Sequence, residues 1–337
     1  MVKWLLGLLI ISIAVGGVVA HGLWQRYAAF KSQALVTQPA GVTYLLQPGA
    51  TVGALADDWV SRGWIARPEY LKLLARESGL ANRLQAGEYH LPAGVNAVQA
   101  LEIFAAGKVI DHTLTITPGK RFADLLAAVR AHPQLRNTLR GQSDAQVMAA
   151  IGKPGEHPEG RFFPDTYHFP RGATDVALLR RAYRALETRL QHWWRRRAAE
   201  SPLATPYQAL ILASIVEKET GAPDERPRIA GVFVRRLLKG MRLQTDPTVI
   251  YGLGDAFDGN LRRRDLRRDT PYNTYTRGGL PPTPIALVGE AAMQAVVQPT
   301  MGDALYFVAK GDGTHAFSAT LAQHNAAVRK YQLRRTQ

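Results

Sequence analysis

The chain has no cysteine among its 337 residues. This absence excludes disulfide bonds, zinc sites built from thiolates and cysteine nucleophiles. Acidic side chains are scarce relative to basic ones, because 27 Asp and Glu face 42 Lys and Arg, which gives a formal net charge of +15 at pH 7. Such a charge favours an anionic partner, either nucleic acid, anionic lipid or an acidic polymer, and does not choose among them.

Motifs for nucleotides and metals are missing as well. The segment Gly252-Leu253-Gly254 lacks the third glycine of a dinucleotide-binding loop. His315, His324 and Asp312 do not have the tight spacing of metal ligands, so we interpret these histidines as structural. The sequence therefore predicts neither a metal nor a cofactor.

One long apolar run stands near the N-terminus, at residues 4–24, and contains no Asp, Glu, Lys or Arg. About 20 apolar residues suffice for a helix to span a bilayer, and Trp4 and Trp24 stand where an aromatic belt would lie. A cleaved signal peptide is the alternative. We predict an uncleaved single-pass anchor at 1–25 and a juxtamembrane spacer at 26–41, with the following domain outside the cytoplasm.

The rest of the chain predicts an α+β fold. Residues 42–110 read strand, helix, helix, strand, an order that resembles a LysM-type glycan-binding module and also fits a generic spacer domain. A connecting α/β segment follows at 111–170. A mixed α+β catalytic domain, with helices around a small sheet, is expected at 171–333. The predicted architecture is thus a transmembrane helix, a small LysM-like module and a catalytic domain.

The most informative motif is an apolar helix at 205–220 that ends in two carboxylates. Glu219 shares a helical face with apolar residues at the spacing i, i+3, i+4, i+7, whereas Glu217 points roughly the other way. A carboxyl group at the end of an apolar stripe loses hydration, which raises its pKa and suits a general acid. A capped surface helix with an acidic last turn is the alternative. The apolar members of the face are Leu212, Ile215 and Val216.

Two loops downstream, at 241–252 and 271–284, are dense in amides, hydroxyls and phenols. Sugar sites use such groups for hydrogen bonding and ring stacking, although the same residues also make ordinary turns. Between these loops lies an arginine-rich run at 262–268. Interspersed acids and the lack of a nucleic-acid-binding module favour a solvated surface for this run over a phosphate site.

A set of motifs runs in order through the C-terminal half of the chain. Together they resemble those of one family, the endolytic murein transglycosylases of the YceG-like type, and the similarity extends over nearly the whole chain. The arginine-rich run at 262–268 is the main departure from the family pattern. The matching segments are ASIVEKET at 213–220, RLQTDPTVIYG at 242–252, YNTY at 272–275, GLPP at 279–282, LYFVA at 305–309, HAFS at 315–318 and HN at 324–325.

This resemblance implies an inner-membrane protein whose periplasmic domain cuts nascent peptidoglycan strands. The catalytic glutamate of the family falls on Glu219, and Gln244, Asn273 and Tyr275 are expected to line the glycan cleft. Expected partners are peptidoglycan strands, the inner membrane and penicillin-binding synthases, and no nucleic acid is expected.

The resemblance also implies a mechanism with a single carboxylate. Protonated Glu219 would donate to the oxygen between N-acetylmuramic acid and N-acetylglucosamine, and the substrate N-acetyl group would stabilise the oxocarbenium ion. Glu219 would then deprotonate the muramyl C6 hydroxyl, which closes a 1,6-anhydro ring and terminates strand elongation. Two other classes stay open: a non-catalytic peptidoglycan-binding scaffold for synthases, and a nucleic-acid-binding membrane protein that rests on charge alone.

Overall fold

The computed structural model describes residues 2–333. The described chain forms two compact units that meet in sequence between His112 and Thr113. Helices dominate both units, and the strands form two-stranded sheets. The α+β class predicted from the sequence is confirmed.

Four helices and two complete strands make up the N-terminal unit. The strands β1 and β2 pair in antiparallel fashion, with Tyr44 opposite Tyr89. The strand–helix–helix–strand order is therefore present, while its identity as a LysM module stays a prediction. The elements are α1 (Val2–Ser32), β1 (Val42–Leu46), α2 (Val52–Ser61), α3 (Pro68–Glu77), β2 (Gly87–Leu91) and α4 (Ala97–Ala106).

Helix α1 differs in burial along its length. Its segment Gly7–Ser32 is long and apolar enough to cross a membrane, with a mean hydropathy of 1.9, which confirms the predicted N-terminal apolar helix. Near its C-terminal end, however, Tyr27 and Phe30 are buried against Tyr70 of α3. Part of the segment that we predicted as a spacer at 26–41 therefore packs in the core of the N-terminal unit.

The C-terminal unit carries the remaining elements. The strand β3 spans the boundary between the units, and β5 pairs with β6 in antiparallel fashion. The elements are β3 (Asp111–Thr115), α5 (Phe122–Ala131), α6 (Asp144–Ala150), β4 (Thr166–Pro170), α7 (Asp175–Trp194), α8 (Pro206–Glu219), α9 (Arg226–Leu238), α10 (Asp246–Leu253), α11 (Arg263–Arg267), α12 (Glu290–Val297), β5 (Tyr306–Ala309), β6 (His315–Ser318) and α13 (Leu321–Val328).

Helix α8 lies at the centre of the larger apolar core of this unit. It packs against α7, α9 and α12, and every residue from 209 to 216 is buried. A helix that is apolar on all sides belongs inside a core, because no face is left for water. Its last turn therefore has a fixed position relative to the elements around it.

Candidate active site

The positions of Glu217 and Glu219 depend on where α8 begins and ends. At the N-terminus the Thr205 hydroxyl accepts a hydrogen bond from the Gln208 backbone at 3.2 Å, and Pro206 occupies the first turn. At the C-terminus the chain leaves the helix at Thr220, which is extended (φ −140°, ψ 137°). The next residue, Gly221, does not have a positive φ, so the helix ends without a glycine cap.

Glu217 and Glu219 point into different surroundings. Glu217 accepts a hydrogen bond from the backbone of Gly289 at 3.0 Å and lies 3.6 Å from the Arg226 guanidinium. Its side chain is 8% exposed, and these two contacts fix the start of α12 and the start of α9 to α8. Glu217 therefore acts in packing, whereas Glu219 lines a cavity of about 500 Å³.

Glu219 has a carboxyl pKa close to neutral pH, so its protonated form is well populated there. Burial of its carboxyl raises its pKa from 4.5 to about 7. The Thr245 hydroxyl donates a hydrogen bond to Glu219 Oε2 at 2.9 Å, which favours the ionised form, and the negative charge of Asp246 opposes that effect. The positive charge of Arg236, and that of His315 when its ring is protonated, also lowers the pKa of Glu219. The net result is a carboxyl that can hold and release a proton at physiological pH.

The segment just before α10, residues 244–245, places Thr245 beside the Glu219 carboxyl. Gln244 has φ +50°, the one positive φ among the non-glycine residues that the structure describes. Its backbone donates to the Thr274 carbonyl at 3.1 Å, and the Thr245 backbone donates to the Thr274 hydroxyl at 3.1 Å. The strain of a left-handed residue, about 1–2 kcal/mol, is thus offset by hydrogen bonds, and the Gln244 side chain is left exposed in the cavity.

Tyr275 and Asp246 form a second polar pair in the cavity. The Tyr275 hydroxyl donates to Asp246 Oδ1 at 2.6 Å, and both residues line the cavity with Glu219. Burial raises the pKa of Tyr275, and the hydrogen bond to Asp246 raises it further. The phenol therefore stays neutral and serves as a donor and an aromatic surface.

Asn273 lies elsewhere. It is fully buried, and its amide nitrogen donates to the backbone carbonyls of Asp265, Leu266 and Arg268 at 3.3, 3.1 and 2.7 Å. Its amide oxygen accepts from the Tyr275 backbone at 2.8 Å. It is not among the residues that line the cavity, so the structure brings together Glu219, Gln244 and Tyr275 and leaves Asn273 beneath them as a fixing point for the arginine-rich segment.

The arginine-rich run itself has local ion pairs. Arg262 pairs with Asp258 at 2.6 Å and its backbone donates to Asp265, which caps the short helix α11. Arg264 lies 3.7 Å from Asp265 and is largely exposed. These contacts describe a solvated, partly paired surface.

The sequence did not single out Arg236. Its guanidinium donates to the carbonyls of Leu305 and Leu243, at 2.7 Å each, and it is 7% exposed. It lies in the wall of the cavity beside Tyr306, 5.2 Å from the ring centre. From sequence alone, an arginine on an amphipathic helix is expected to be solvent-exposed. Arg236 is buried because β5 packs against α9.

The site as a whole offers one protonated carboxyl, amide and phenol groups, and aromatic walls. Within residues 2–333, no group of three or more His, Asp or Glu side chains is arranged to hold a metal ion. An open cleft with a neutral acid, a hydroxyl that supports its ionised form and aromatic surfaces suits general acid catalysis on a polar, ring-containing substrate.

Comparison with known proteins defines the class. Residues 44–330 match the model of the YceG-like family, and the chain belongs to this family. A solved crystal structure of a yceG-like protein from Listeria monocytogenes superimposes with a TM-score of 0.54 at 28% sequence identity, covering 86% of this chain and 99% of that one.

Two curated relatives carry a functional name. The chain is 32% identical over 307 residues to the endolytic murein transglycosylase of Bacillus subtilis (strain 168), which covers 84% of this chain and 82% of that protein. It is 33% identical over 155 residues to the endolytic murein transglycosylase of Streptococcus pneumoniae serotype 2, which covers 45% of this chain and 28% of that protein.

Proposed function

We propose that this chain is an endolytic lytic transglycosylase, which cuts nascent peptidoglycan between N-acetylmuramic acid and N-acetylglucosamine. The name of the B. subtilis relative supports the reaction class. The observation that carries the assignment to a site is the burial of Glu219 in an open cavity, which raises its pKa to about 7. A general acid must be protonated near the working pH, and Glu219 meets that requirement.

The reaction begins with proton transfer from Glu219 to the glycosidic oxygen. The bond between that oxygen and muramyl C1 breaks, and positive charge develops on the sugar ring. The N-acetyl group of the substrate stabilises this charge. The muramyl C6 hydroxyl then attacks C1 and gives its proton to a base, a role that the single-carboxylate scheme assigns to the Glu219 carboxylate. The product ends in 1,6-anhydro-muramic acid.

Gln244 and Tyr275 are the proposed sugar-binding residues. The exposed amide of Gln244 offers a donor and an acceptor to sugar hydroxyls, and the Tyr275 ring offers a surface for stacking. The fully engaged amide of Asn273 supports a different part for that residue, which is to hold the floor of the cleft.

The proposed location follows from the substrate. Helix α1 anchors the chain in the inner membrane, and the catalytic unit lies in the periplasm where nascent strands emerge. The net charge of +15 suits both an anionic membrane surface and strands that bear peptide carboxylates. Penicillin-binding synthases are the proposed partners, since they deliver the strand that is cut.

Mass spectrometry of digested glycan strands tests the proposal. The full chain in detergent should release products that end in 1,6-anhydro-muramic acid, and Glu219→Gln should release none while it stays folded. Glu217→Gln is the matched control, because it removes a charge from the same helix, two residues before Glu219. This variant should keep most of the activity.

Other product patterns would contradict the proposal in different ways. Reducing-end products would identify a hydrolase, in which water replaces the C6 hydroxyl. Strand binding without any cleavage by the wild-type chain would favour the non-catalytic scaffold. Equal losses from Glu217→Gln and Glu219→Gln would overturn the assignment of the acid.

A further inference from the structure

His315, which lines the cavity, is closely paired with Glu225. Glu225 ends the single turn before α9, and His315 begins β6. Glu225 Oε1 accepts from the His315 backbone at 2.9 Å, and Oε2 accepts from Nδ1 of the same residue at 2.7 Å. The two side chains are 12% and 11% exposed. One carboxylate therefore fixes both the main chain and the ring of His315.

This pairing determines where the histidine carries its proton. A carboxylate oxygen only accepts hydrogen bonds, so Nδ1 must be the donor and bears hydrogen. Burial alone would raise the pKa of Glu225, but the hydrogen bonds from the His315 backbone and ring hold it below its usual value. The neutral ring then has its lone pair on Nε2. The edge-on contact with Phe307, at 5.4 Å between ring centres, further limits rotation of the ring.

His315 lines the same cavity as Glu219. With Nδ1 engaged by Glu225, Nε2 is the nitrogen left for the cavity. The charged groups that act on this pair are Glu219 across the cavity and Lys310 at the end of β5. An imidazole with one nitrogen held by a carboxylate and the other facing substrate is the arrangement that a general base requires.

We propose that His315 is a second catalytic residue, whose Nε2 takes the proton of the attacking muramyl C6 hydroxyl. This inference rests on the proposed function and reassigns its base. Glu219 gives its proton to the leaving oxygen as the C1–O bond breaks. The C6 oxygen bonds to C1, and the C6 hydroxyl proton passes to His315. The site then holds a carboxylate and an imidazolium, and exchange of one proton with water at each residue restores the resting state.

Glu225 is the positioning residue in this scheme. In Glu225→Gln the side-chain amide can donate to Nδ1, which moves the ring proton to Nε2 and removes the lone pair from the cavity. The histidine itself stays in place. The variant therefore separates loss of the base from loss of the ring, and it should behave like removal of Nε2.

The decisive experiment measures kcat and KM for release of anhydro ends by the full chain, between pH 5 and pH 9. His315→Asn keeps a nitrogen donor toward Glu225 and lacks Nε2. We expect kcat to fall about 100-fold or more with little change in KM. Glu225→Gln should lower kcat by a similar factor, and the double variant should be no worse than either single one.

A second Glu–His pair in the N-terminal unit supplies the matched control. His112 Nε2 lies 2.6 Å from Glu88 Oε2, and it is not among the residues of the cavity. His112→Asn should leave kcat and the pH profile unchanged. If His315→Asn does not fold, Glu225→Gln decides the matter, because it retains the histidine.

Two results would overturn the inference and are distinguishable. If the wild-type chain releases anhydro ends and both variants do so with a kcat within a few-fold of wild type, His315 is not the base and the proposed function stands. If the wild-type chain releases no anhydro ends, the proposed function fails and the base assignment fails with it.

Discussion

Replacing Glu219 by Gln should stabilise the protein while it removes activity, and the gain should depend on pH. In the unfolded chain the carboxyl ionises at its ordinary pKa of 4.5, whereas in the folded chain it ionises at about 7. Between these values the unfolded state releases a proton that the folded state retains. The wild-type chain therefore loses stability as the pH rises through this window, and the Gln variant does not.

The magnitude follows from the two pKa values. At 1.36 kcal/mol per pKa unit, the difference between 4.5 and about 7 corresponds to about 3 kcal/mol. Below pH 4.5 the carboxyl is neutral in both states and the difference between variant and wild type is small. It grows up to pH 7 and is constant above it. For a protein unit of this size, each kcal/mol of added stability raises the thermal unfolding midpoint by roughly 2–4 °C. The thermal midpoint of Glu219→Gln should therefore lie roughly 6–12 °C above that of the wild-type chain at pH 8.

Urea unfolding of the full chain in detergent, repeated from pH 4 to pH 9, measures this difference. Glu217→Gln is the control, because it removes the partner of the buried Arg226 guanidinium and should lower stability at pH 7. A Glu219→Gln variant whose stability relative to wild type is the same at pH 4.5 and pH 8, or is lower at pH 8, would refute the argument that burial keeps this carboxyl protonated.

Further variants at three positions, Thr245, Gln244 and Asn273, address the cleft and its support. Thr245→Val removes the hydrogen bond that favours ionised Glu219, so the pH at which activity falls on the alkaline side should rise, by up to about one pH unit; a pH–rate profile that shifts downward would contradict this. Gln244→Gly should raise the free energy of unfolding by about 1 kcal/mol through relief of the positive φ, whereas Gln244→Ala should not, and both should weaken glycan binding in a sedimentation assay. Asn273→Ala leaves three part-buried carbonyls without their donor and should cost about 1–3 kcal/mol in urea unfolding, while the folded fraction binds glycan normally.

The sequence identified the helix that carries Glu219, but for a reason that is only partly correct. The apolar stripe of Leu212, Ile215 and Val216 does lead to Glu219. Yet the structure buries α8 on every side from 209 to 216, so a stripe alone does not distinguish the two glutamates. What distinguishes them is distant in sequence: Gly289 meets Glu217, and Thr245 meets Glu219.

The polar residues of the cleft show where reading a sequence fails. Gln244 and Asn273 are both amides in turn-rich loops, so the sequence does not distinguish them. In the folded chain Gln244 lines the cavity, whereas the Asn273 amide is hydrogen-bonded to backbone carbonyls. His315 and Arg236 were not predicted as site residues. Their placement depends on β5 packing beside α9 and on β6 pairing with β5, a long-range arrangement that no local pattern encodes.

The cavity holds a second carboxylate, and it is Asp246 rather than Glu217. Its negative charge works with burial to keep the proton on Glu219, while the Thr245 hydroxyl, the positive charge of Arg236 and, whenever its ring is protonated, His315 act in the opposite direction. A hydrolase of the two-carboxylate kind would need Asp246 to activate water or to attack the sugar. The Tyr275 hydroxyl already occupies one oxygen of Asp246 at 2.6 Å, which suits a fixed charge near the acid better than a mobile base. In the proposed reaction the proton of the attacking hydroxyl then goes to Glu219 or to His315, and the two carboxylates have different proposed roles: Glu219 gives a proton, and Asp246 keeps that proton available at neutral pH.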